Sequence, residues 1–307
     1  METAMAQQTT VRPLRPGDAE AIVSIDRART GRSRKEFYAK RFAALADHPR
    51  TVAAVAAEQG GRVVGFAFAR VLDGEFGGAA PVGALDAIGV LAEQEREGVA
   101  TALLAGLEAA LAAHGVRELR SQVDWSEHGM TAFFSAAGFR LSPRVVLERS
   151  LERPVDDERE EDAFTVRSMA EQDLPAMARL DRRITGRDRS SYLARKTSEV
   201  LKQSAVRVSL VTEVDGQLAG FLMARVDFGE YGRTEPTAVL DTIGVDPAFA
   251  RRGVGSALLG QLLRNLGSLR VERVITEVEW NELPLLGFLG RTGFEPAQRL
   301  AFDKAIA

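Results

Sequence analysis

The amino-acid sequence repeats itself at a spacing of 155 residues. Residues 11–144 align without a gap with residues 166–299, and the identical positions fall in blocks rather than singly. A period of this length is that of a domain and not that of a solenoid unit, which repeats about every 20–50 residues. The sequence therefore predicts two copies of one domain, copy one at residues 10–150 and copy two at residues 164–307, joined by a charged linker at residues 151–163.

The composition excludes several classes of protein. There is no cysteine, so disulfides, thiolate zinc sites and cysteine nucleophiles are excluded. The three histidines are too scattered for a metal cluster, and we expect no metal. The formal net charge of −3 argues against a general nucleic-acid binder. No apolar run reaches the length of a membrane span and the N-terminus lacks the order of a signal peptide, which favours a cytoplasmic protein without a membrane partner.

The hydrophobic pattern of each copy mixes strands and helices. In copy one, two apolar, β-prone runs at 52–57 and 63–71 are divided by Gly60 and Gly61, which signal a hairpin turn. A buried strand at 85–90 then leads into a long apolar-periodic helix. Copy two repeats these patterns. The order β-α-α-β-β-β-α-β-α-β predicts an α/β layer fold for each copy.

The segment with the clearest chemistry follows the strand that ends at Val245 in copy two. A helix opens there within the run Arg251, Arg252, Gly253, Val254, Gly255 and Ser256. A helix start presents free backbone N–H groups and partial positive charge, and glycines let an anion come close. Arginines add fixed charge and fork-shaped donors. The run predicts a pyrophosphate cradle, with an ordinary helix start beside solvated arginines as the alternative.

This strand, the Arg-Arg-Gly-Val-Gly-Ser run, the long helix, the next strand and a late Gly-Phe resemble the GNAT superfamily of acyl-coenzyme A N-acyltransferases. The resemblance covers each whole copy and implies tandem GNAT-like domains, each a mixed, mostly antiparallel twisted sheet flanked by helices. It implies acetyl-CoA as co-substrate, with the backbone of Ile243 and Val245 along the pantetheine arm and the amides of residues 251–256 on the pyrophosphate. Asn281 is a further candidate for cofactor contact, one residue from the family's usual place.

Copy one departs from this pattern at the same loop. Its run is Glu95, Arg96, Glu97 and Gly98, so two carboxylates flank the expected phosphate position. A carboxylate a few ångströms from a pyrophosphate costs about 1–4 kcal/mol at surface-like dielectric, which is a several-fold to roughly thousandfold loss of affinity. We therefore predict that copy two binds coenzyme A and that copy one binds it weakly or not at all.

Three residues of copy two are candidates for proton transfer. Asp241 lies on the strand that ends at Val245, and period two predicts that it shares a face with Ile243 and Val245. It is the first candidate for general base or amine ligand, with a purely structural aspartate as the alternative. Glu230, the second candidate base, and Tyr231, a candidate acid, lie in a glycine-flanked turn before the strand. The tyrosine that the family usually places before the Gly-Phe is Leu289 here.

The acceptor is expected between neighbouring strands of copy two. Glu279 ends the strand after the long helix, and carboxylates there predict an acidic pocket for an ammonium, with solvated strand ends as the alternative. Trp280 is predicted to be a core or pocket-wall residue. Arg187 and Arg189 lie between the first two helices, where they could fork onto a substrate carboxylate or pair with Asp181 to fix the loop.

The sequence thus predicts an N-acetyltransferase that moves an acetyl group from acetyl-CoA to a primary amine of a small molecule or peptide end, by direct attack in a ternary complex. The chain is expected to be a monomer with pseudo-dimeric domains, or a homodimer. Two rivals stay open. A non-catalytic sensor of CoA or an amine is favoured by the missing tyrosine, and a protein N-acetyltransferase would be favoured by an open groove.

Overall fold

The computed structural model describes residues 8–78, 80–152, 164–203, 208–227, 229–269 and 271–307. Most of the predicted linker, residues 153–163, lies outside the described residues. Each copy forms its elements in the predicted order, with one additional two-residue strand before the last one.

The elements of copy one are β1 (Thr10–Pro13), α1 (Ala19–Thr30), α2 (Lys35–Asp47), β2 (Val52–Gln59), β3 (Arg62–Leu72), β4 (Val82–Val90), α3 (Val99–Ala113), β5 (Glu118–Asp124), α4 (His128–Ala136), β6 (Arg140–Leu141) and β7 (Arg144–Ser150). Those of copy two are β8 (Val166–Ser168), α5 (Leu174–Thr185), α6 (Ser190–Gln203), β9 (Leu210–Val214), β10 (Gln217–Asp227), β11 (Thr237–Val245), α7 (Val254–Gly267), β12 (Arg273–Glu279), α8 (Leu283–Arg291), β13 (Glu295–Pro296) and β14 (Arg299–Ala305).

The β2–β3 and β9–β10 hairpins form where the turn signals predicted them. Gly60 and Gly61 both have positive φ, as do Asp215 and Gly216. Two successive residues with positive φ give the turn whose twist matches that of the flanking strands. The hairpin turns are therefore confirmed and have a local cause.

The two sheets exchange their last strands. The first sheet has the order β1-β2-β3-β4-β5-β14-β6, and the second has the order β13-β7-β12-β11-β10-β9-β8. β14 pairs antiparallel with β5 in the first sheet, whereas β7 pairs antiparallel with β12 in the second. Each seven-stranded sheet is therefore completed by a strand from the other copy, which nothing in the repeat of the sequence indicated.

The exchanged strands carry core residues with them. Phe302 of β14 packs in the core of the first sheet, where its ring lies 5.5 Å from that of Phe134. Leu147 of β7 packs in the core of the second sheet, beside Leu289 and Phe294. Burial of these apolar side chains holds each copy to the other.

The second sheet opens into a fork between β11 and β12. These parallel strands pair only as far as Val239 opposite Ile275. At the fork, Thr276 Oγ1 donates a hydrogen bond of 2.9 Å to the carbonyl of Leu240. β4 and β5 separate in the same way beyond Ala84. Beyond each fork, the backbone groups of the two parallel strands no longer pair with each other. The space between the separated strands can hold a ligand.

β11 is bulged at Asp241. Met223 of β10 pairs with Thr242 and the next residue, Ala224, pairs with Leu240, so Asp241 has no partner opposite it. An extra residue of this kind bends the strand and redirects side chains.

The bulge overturns one prediction. Ile243 and Val245 pack against the core beneath α7, whereas Asp241 faces the α6 side, with its carboxylate 4.0 Å from Lys196 Nζ. The prediction that Asp241 shares a face with Ile243 and Val245 is therefore wrong, because the bulge interrupts the period of two. Asp86 is the equivalent bulged residue of β4.

The loops before β4 and β11 cross to the other copy. A Cβ added at Gly74 would lie 2.6 Å from the ring of Tyr192, and one at Gly229 would lie 2.9 Å from the ring of Phe37. Both glycines have positive φ, +105° and +153°. Glycine is required at these two positions both for the backbone conformation and for the close approach of the two copies.

Candidate active site

The two bulge aspartates lie in one buried group of charges at the seam between the copies, here called the charge cluster. It contains equal numbers of acids and bases, so its formal charges cancel, which offsets part of the cost of burying them. Its members are Arg41, Arg70, Glu75 and Asp86 of copy one and their counterparts Lys196, Arg225, Glu230 and Asp241 of copy two.

One glutamate of each copy pairs with basic residues of the other copy. Glu230 accepts hydrogen bonds or ion pairs from Arg41 at 2.9 Å and Arg70 at 2.8 Å, as well as from Arg225 of its own copy. Glu75 in turn lies 2.9 Å from Lys196 Nζ. The cluster therefore joins the two sheets by ion pairs across the seam.

The repeat symmetry of the cluster breaks at Asp241. Asp86 is held bidentately by Arg70, with Nε and Nη2 at 2.6 and 2.8 Å from its two oxygens. Arg225 instead turns both terminal nitrogens to Glu230 and reaches Asp241 only through Nε, at 3.3 Å. Among the described residues, Asp241 Oδ1 has no hydrogen-bond partner.

This environment increases the proton affinity of Asp241. Burial, which is only partly offset by Arg225 and Lys196, raises the pKa of Asp241. A raised pKa and an oxygen that no protein group occupies are the properties that a proton acceptor or an ammonium ligand needs. Copy two thus has a strand carboxylate with open bonding capacity, and Asp86 of copy one is already bound at both oxygens.

Glu230 has the opposite environment. Burial disfavours its charged form, but the guanidinium groups of Arg225, Arg70 and Arg41 outweigh burial and hold the pKa of Glu230 well below its usual range. A carboxylate that stays ionised and engaged with three arginines is a poor proton acceptor at neutral pH. Its placement therefore corrects the idea of Glu230 as a second base, since it is an ion-pair partner across the seam.

Tyr231 also reaches across the seam. Its ring packs against Leu72, Val82 and Ala84 of the first sheet, and its backbone carbonyl accepts a hydrogen bond from Arg299. Burial, with the nearby carboxylate of Glu277, raises the pKa of Tyr231. Its hydroxyl therefore stays protonated at neutral pH, but the ring belongs to the packing of the seam.

Acid should weaken the seam through Glu75. Burial favours its protonated form, but Lys196 and Arg195 outweigh burial and lower the pKa of Glu75 from 4.5 to about 2. The ionised carboxylate thus stabilises the fold above pH 4.5, and this contribution disappears as the pH falls from 4.5 to about 2. We expect Glu75→Gln to reduce the pH dependence of the free energy of unfolding in this window, measured by urea titration. The exposed Glu20→Gln is the control, and an unchanged slope in Glu75→Gln would contradict the expectation.

The loop before α7 has the backbone that the sequence predicted for an anion cradle. α7 begins at Val254, after Gly253 with φ +92°. The first hydrogen bond into the helix runs from the Ala257 amide to the Gly253 carbonyl at 2.9 Å, so the amides before it have no partner within the helix. The side chain of Val254 is buried in the core, and only its amide can contribute to a cradle.

Two exposed cations flank this helix start. Arg251 and Arg252 make no ion pair with the described residues, and the Arg252 guanidinium lies 5.6 Å from the centre of the Phe249 ring. Glycine backbone, unpaired amides and two available guanidinium groups fit a diphosphate. The residues of copy two are therefore suited to the pyrophosphate of coenzyme A.

Copy one keeps the backbone of this loop but changes its charges. Arg96 and Gly98 have positive φ, like Arg251 and Gly253 of copy two. Arg29 of α1 donates to the carboxylate of Glu95 and, at 3.3 Å, to the carbonyl of Val90. In copy two, Arg183 of α5 instead contacts Asp246, just after the strand end, at 2.5 Å. The weaker affinity of copy one for coenzyme A stays a prediction.

A cavity of about 300 Å³ opens at the seam on the side of copy two. Both copies build it, because the β3–β4 loop of copy one covers the end of β12 in copy two. Its charged lining consists of Glu75, Glu118, Arg120 and Arg144 from copy one and Arg187, Glu277 and Glu279 from copy two. Asp241 lies just behind this wall, since Lys196 contacts Asp241 and the cavity residue Glu75.

The structure brings only some of the predicted acceptor residues to this cavity. Arg187 and Glu279 line it. Arg189 is buried, where its guanidinium binds Asp181 and donates to the Gly74 carbonyl. This is the loop-fixing alternative that the sequence left open, extended by a contact across the seam.

Two further predicted residues lie at the surface. Trp280 is 58% exposed, so it is not a core residue. Its position immediately after the last residue of β12 puts the ring into solvent. Asn281 lies in the exposed turn before α8. The structure shows no contact that assigns either residue to a cofactor or an acceptor.

Sequence reasoning missed the residues that copy one contributes to the site of copy two. Glu75, Glu118 and Arg144 were not candidates, because the repeat suggested that each copy builds its own site. The shared block of Gly74 and Glu75 with Gly229 and Glu230 was the available signal. The sequence does not indicate that each loop contacts the other copy, and this contact is visible only in the structure.

A forked sheet with a bulged strand and a glycine-initiated helix defines a class of acyl-transferring proteins, and the family comparison agrees. The model of the acetyltransferase (GNAT) family matches residues 20–139 and 174–294. The chain therefore belongs to the GNAT family, with one family domain in each copy. The family uses acetyl-CoA as co-substrate.

Curated relatives match only part of the chain. The mycothiol acetyltransferase of Clavibacter michiganensis subsp. michiganensis (strain NCPPB 382) is 36% identical over 88 residues, which are 29% of this chain and 26% of the relative. The mycothiol acetyltransferase of Clavibacter sepedonicus is 38% identical over 88 residues, 29% of this chain and 27% of the relative. The matches thus span about a quarter of the length of these relatives.

Solved structures share the fold over nearly the whole length. A tandem GNAT protein from the clavulanic acid biosynthesis pathway superposes with a TM-score of 0.66 at 17% identity, covering 98% of this chain and 99% of that one. A GCN5-related N-acetyltransferase from Sphaerobacter thermophilus gives a TM-score of 0.64 at 18% identity, covering 97% and 96%. These similarities establish the tandem α/β fold.

The described part of the chain also lacks two further features. None of its helices combines the length and the apolar character needed to cross a bilayer. Within the same residues, no group of three or more histidine and acidic side chains is arranged to hold a metal ion.

Proposed function

We propose that the protein transfers an acetyl group from acetyl-CoA to a primary amine, with the co-substrate bound by copy two and the acceptor in the seam cavity. The observation that carries this proposal is the asymmetry between the copies. Both sheets fork, and copy two adds an arginine-flanked helix start and a bulge aspartate whose Oδ1 has no hydrogen-bond partner among the described residues. In copy one the equivalent carboxylate is fully bound by Arg70, and carboxylates flank the loop.

In this proposal, the amides of residues 251–256 and the side chains of Arg251 and Arg252 hold the pyrophosphate. The thioester then lies in the fork between β11 and β12. The amine must lose a proton before it attacks the thioester carbon. Asp241 accepts this proton, directly or through a water molecule, because burial raises its pKa and because its Oδ1 has no hydrogen-bond partner among the described residues. The C–N bond forms as the C–S bond breaks, and a proton from solvent neutralises the leaving thiolate.

The acceptor is proposed to enter through the seam cavity. Glu279 and Arg187 lie at its copy-two wall, and Glu75 connects it through Lys196 to Asp241. A cavity of about 300 Å³ walled by both copies suits a small molecule or the end of a peptide better than a protein surface. A CoA or amine sensor is the second candidate, because Leu289 is buried in the core and cannot supply the proton that the family's tyrosine gives.

Exchanging the loop charges between the copies tests the co-substrate assignment. Ala250→Glu with Arg252→Glu gives copy two the acidic pattern of copy one, and we expect acetyl-CoA to bind several-fold to about a thousandfold more weakly. The matched variant, Glu95→Ala with Glu97→Arg, gives copy one the pattern of copy two and should add a second binding event. Isothermal titration calorimetry measures both affinity and stoichiometry.

The parent should bind about one acetyl-CoA per chain in this titration. Two equal sites in the parent, or unchanged affinity in the copy-two variant, would contradict the assignment. A thiol-release assay with a panel of primary amines then separates the enzyme from the sensor. Amine-dependent release of CoA above the hydrolysis background supports transfer, and binding without such release supports sensing.

A further inference from the structure

The two seam loops have the same backbone but different side chains. Gly78 of copy one has φ −54° and ψ 144°, and its counterpart Arg233 of copy two has φ −66° and ψ 147°. A side chain at position 78 would therefore leave the loop in the direction that the Arg233 side chain takes. Position 78 faces the cavity of copy two, and position 233 faces the equivalent place in copy one.

In copy one that place is filled by Arg233. The residue is buried, with 8% exposure, and its Nη2 donates a hydrogen bond of 2.7 Å to Oε1 of Gln122 on β5. Its guanidinium also lies 5.5 Å from the centre of the Tyr231 ring. Arg32, which corresponds to Arg187, contacts Glu235 across the seam and covers the same place from outside. The chain thus inserts a cation of its own into the acceptor position of copy one.

In copy two the same place is open. Gly78 has no side chain, and the cavity of about 300 Å³ takes the space. The counterpart of Gln122 is Glu277, which lines this cavity. Its Oε1 accepts a hydrogen bond from Gln122 Nε2, and its Oε2 lies 3.3 Å from Arg144 Nε. A carboxylate binds a cation more strongly than an amide oxygen does, because the hydrogen bond is assisted by charge. The empty position is therefore better suited to a cation than the filled one.

The remaining charges of the cavity agree with this. Its lining has four carboxylates and three guanidinium groups. Three of the carboxylates already pair with basic residues, since Glu118 pairs with Arg120, Glu277 with Arg144 and Glu75 with Lys196. Glu279, exposed at the end of β12, makes no ion pair with the described residues. Glu279 is thus the lining carboxylate that remains for a positively charged ligand.

We propose that the cavity of copy two binds a cationic group of the acceptor in the position that the Arg233 guanidinium occupies in copy one, and that Gly78 keeps this position open. The acceptor is then an amine that carries a second cationic group, such as a diamine or a guanidino amine. This inference rests on the proposed function and specifies its substrate class. Copy one contributes to the reaction of copy two by forming the wall that admits the cation.

Three probes that differ only at one end test the charge preference. They are 1,4-diaminobutane, 4-aminobutan-1-ol and 4-aminobutanoate, titrated calorimetrically into the CoA-bound protein. We expect the diamine to bind at least about tenfold more tightly than the other two, since only it can place one ammonium at the reacting position and a second one opposite a carboxylate. Glu277→Gln, which installs the residue of copy one, should remove this preference. Equal affinities for the three probes, or an intact preference in Glu277→Gln, would overturn the proposal.

Gly78→Arg tests the position directly. The new guanidinium should fill the cavity and pair with Glu277, so that the diamine binds at least about tenfold more weakly. The variant should fold, because copy two already holds an arginine, Arg233, on the equivalent backbone. Gly267→Arg, at the exposed end of α7, controls for the added charge and should keep the parent affinity. Parent affinity for the diamine in Gly78→Arg would overturn the proposal.

These titrations separate this inference from the proposed function. Acetyl-CoA affinity, measured in the same variants, should stay at the parent value, because Gly78 and Glu277 lie outside the co-substrate loop. The amine titrations measure binding and not turnover. A protein that binds the diamine preferentially but releases no CoA would contradict acetyl transfer and support the cationic site.

Discussion

Replacing Phe302 with alanine is expected to destabilise the first sheet, although Phe302 belongs to the sequence of copy two. The ring is buried in the core of the first sheet and contacts Phe134. Removing a buried phenylalanine side chain costs about 3–5 kcal/mol, through lost burial and the cavity that remains. Hydrogen exchange resolved by peptide should show the largest loss of protection in β5 and its neighbours.

Leu147→Ala is the matched variant, because Leu147 occupies the equivalent position in β7 and packs in the second core. It should cost about 2–5 kcal/mol and expose β12 rather than β5. The two variants together test the strand exchange. If Phe302→Ala reduced protection only in β9–β12, the strands would not be exchanged in solution.

Asp241→Asn is expected to reduce kcat by about 100- to 10,000-fold, the usual contribution of a general base. Asparagine keeps the shape of the side chain but cannot accept the proton of the amine. Since burial raises the pKa of Asp241, kcat of the parent should fall as the pH drops below that pKa, and the variant should lose this dependence. Steady-state rates from pH 5 to 9, with saturating acetyl-CoA, measure both effects.

Asp86→Asn is the control for the charge cluster. It removes the equivalent bulge carboxylate, which Arg70 holds at both oxygens. Breaking a buried ion pair from one side costs about 3–5 kcal/mol of stability, so the melting temperature should fall. The kcat of the folded fraction should stay near that of the parent. Equal losses of kcat in the two variants would show that the cluster matters for structure and that Asp241 is not the base.

Local patterns were enough to predict the elements of each copy. The β2–β3 turn follows from Gly60 and Gly61, whose positive φ values glycine adopts without strain. The helix start at Gly253 could be located because strand, glycine and helix are contiguous in sequence. Predictions that depend on side-chain direction were less secure. The bulge at Asp241 turned this side chain away from the face of Ile243 and Val245.

The sequence predicted the candidate site on copy two, but it indicated only part of the cavity wall. Glu279 and Arg187 reach the cavity, and Arg189 goes to Asp181 and the Gly74 carbonyl. The missing walls, Glu75 among them, come from more than a hundred residues away in the chain. No local period connects such positions, because the contact is made only when the two sheets meet.

The sequence by itself determined that two copies of one α/β domain lie in this chain and that their cofactor loops differ in charge, since repeats and charges are properties of residue order. Only the tertiary structure decided that the copies exchange β7 and β14, and that both copies line the seam cavity. The physical reason is the repeat itself. Strands with nearly the same pattern can complete either sheet, so long-range packing at the seam makes the choice.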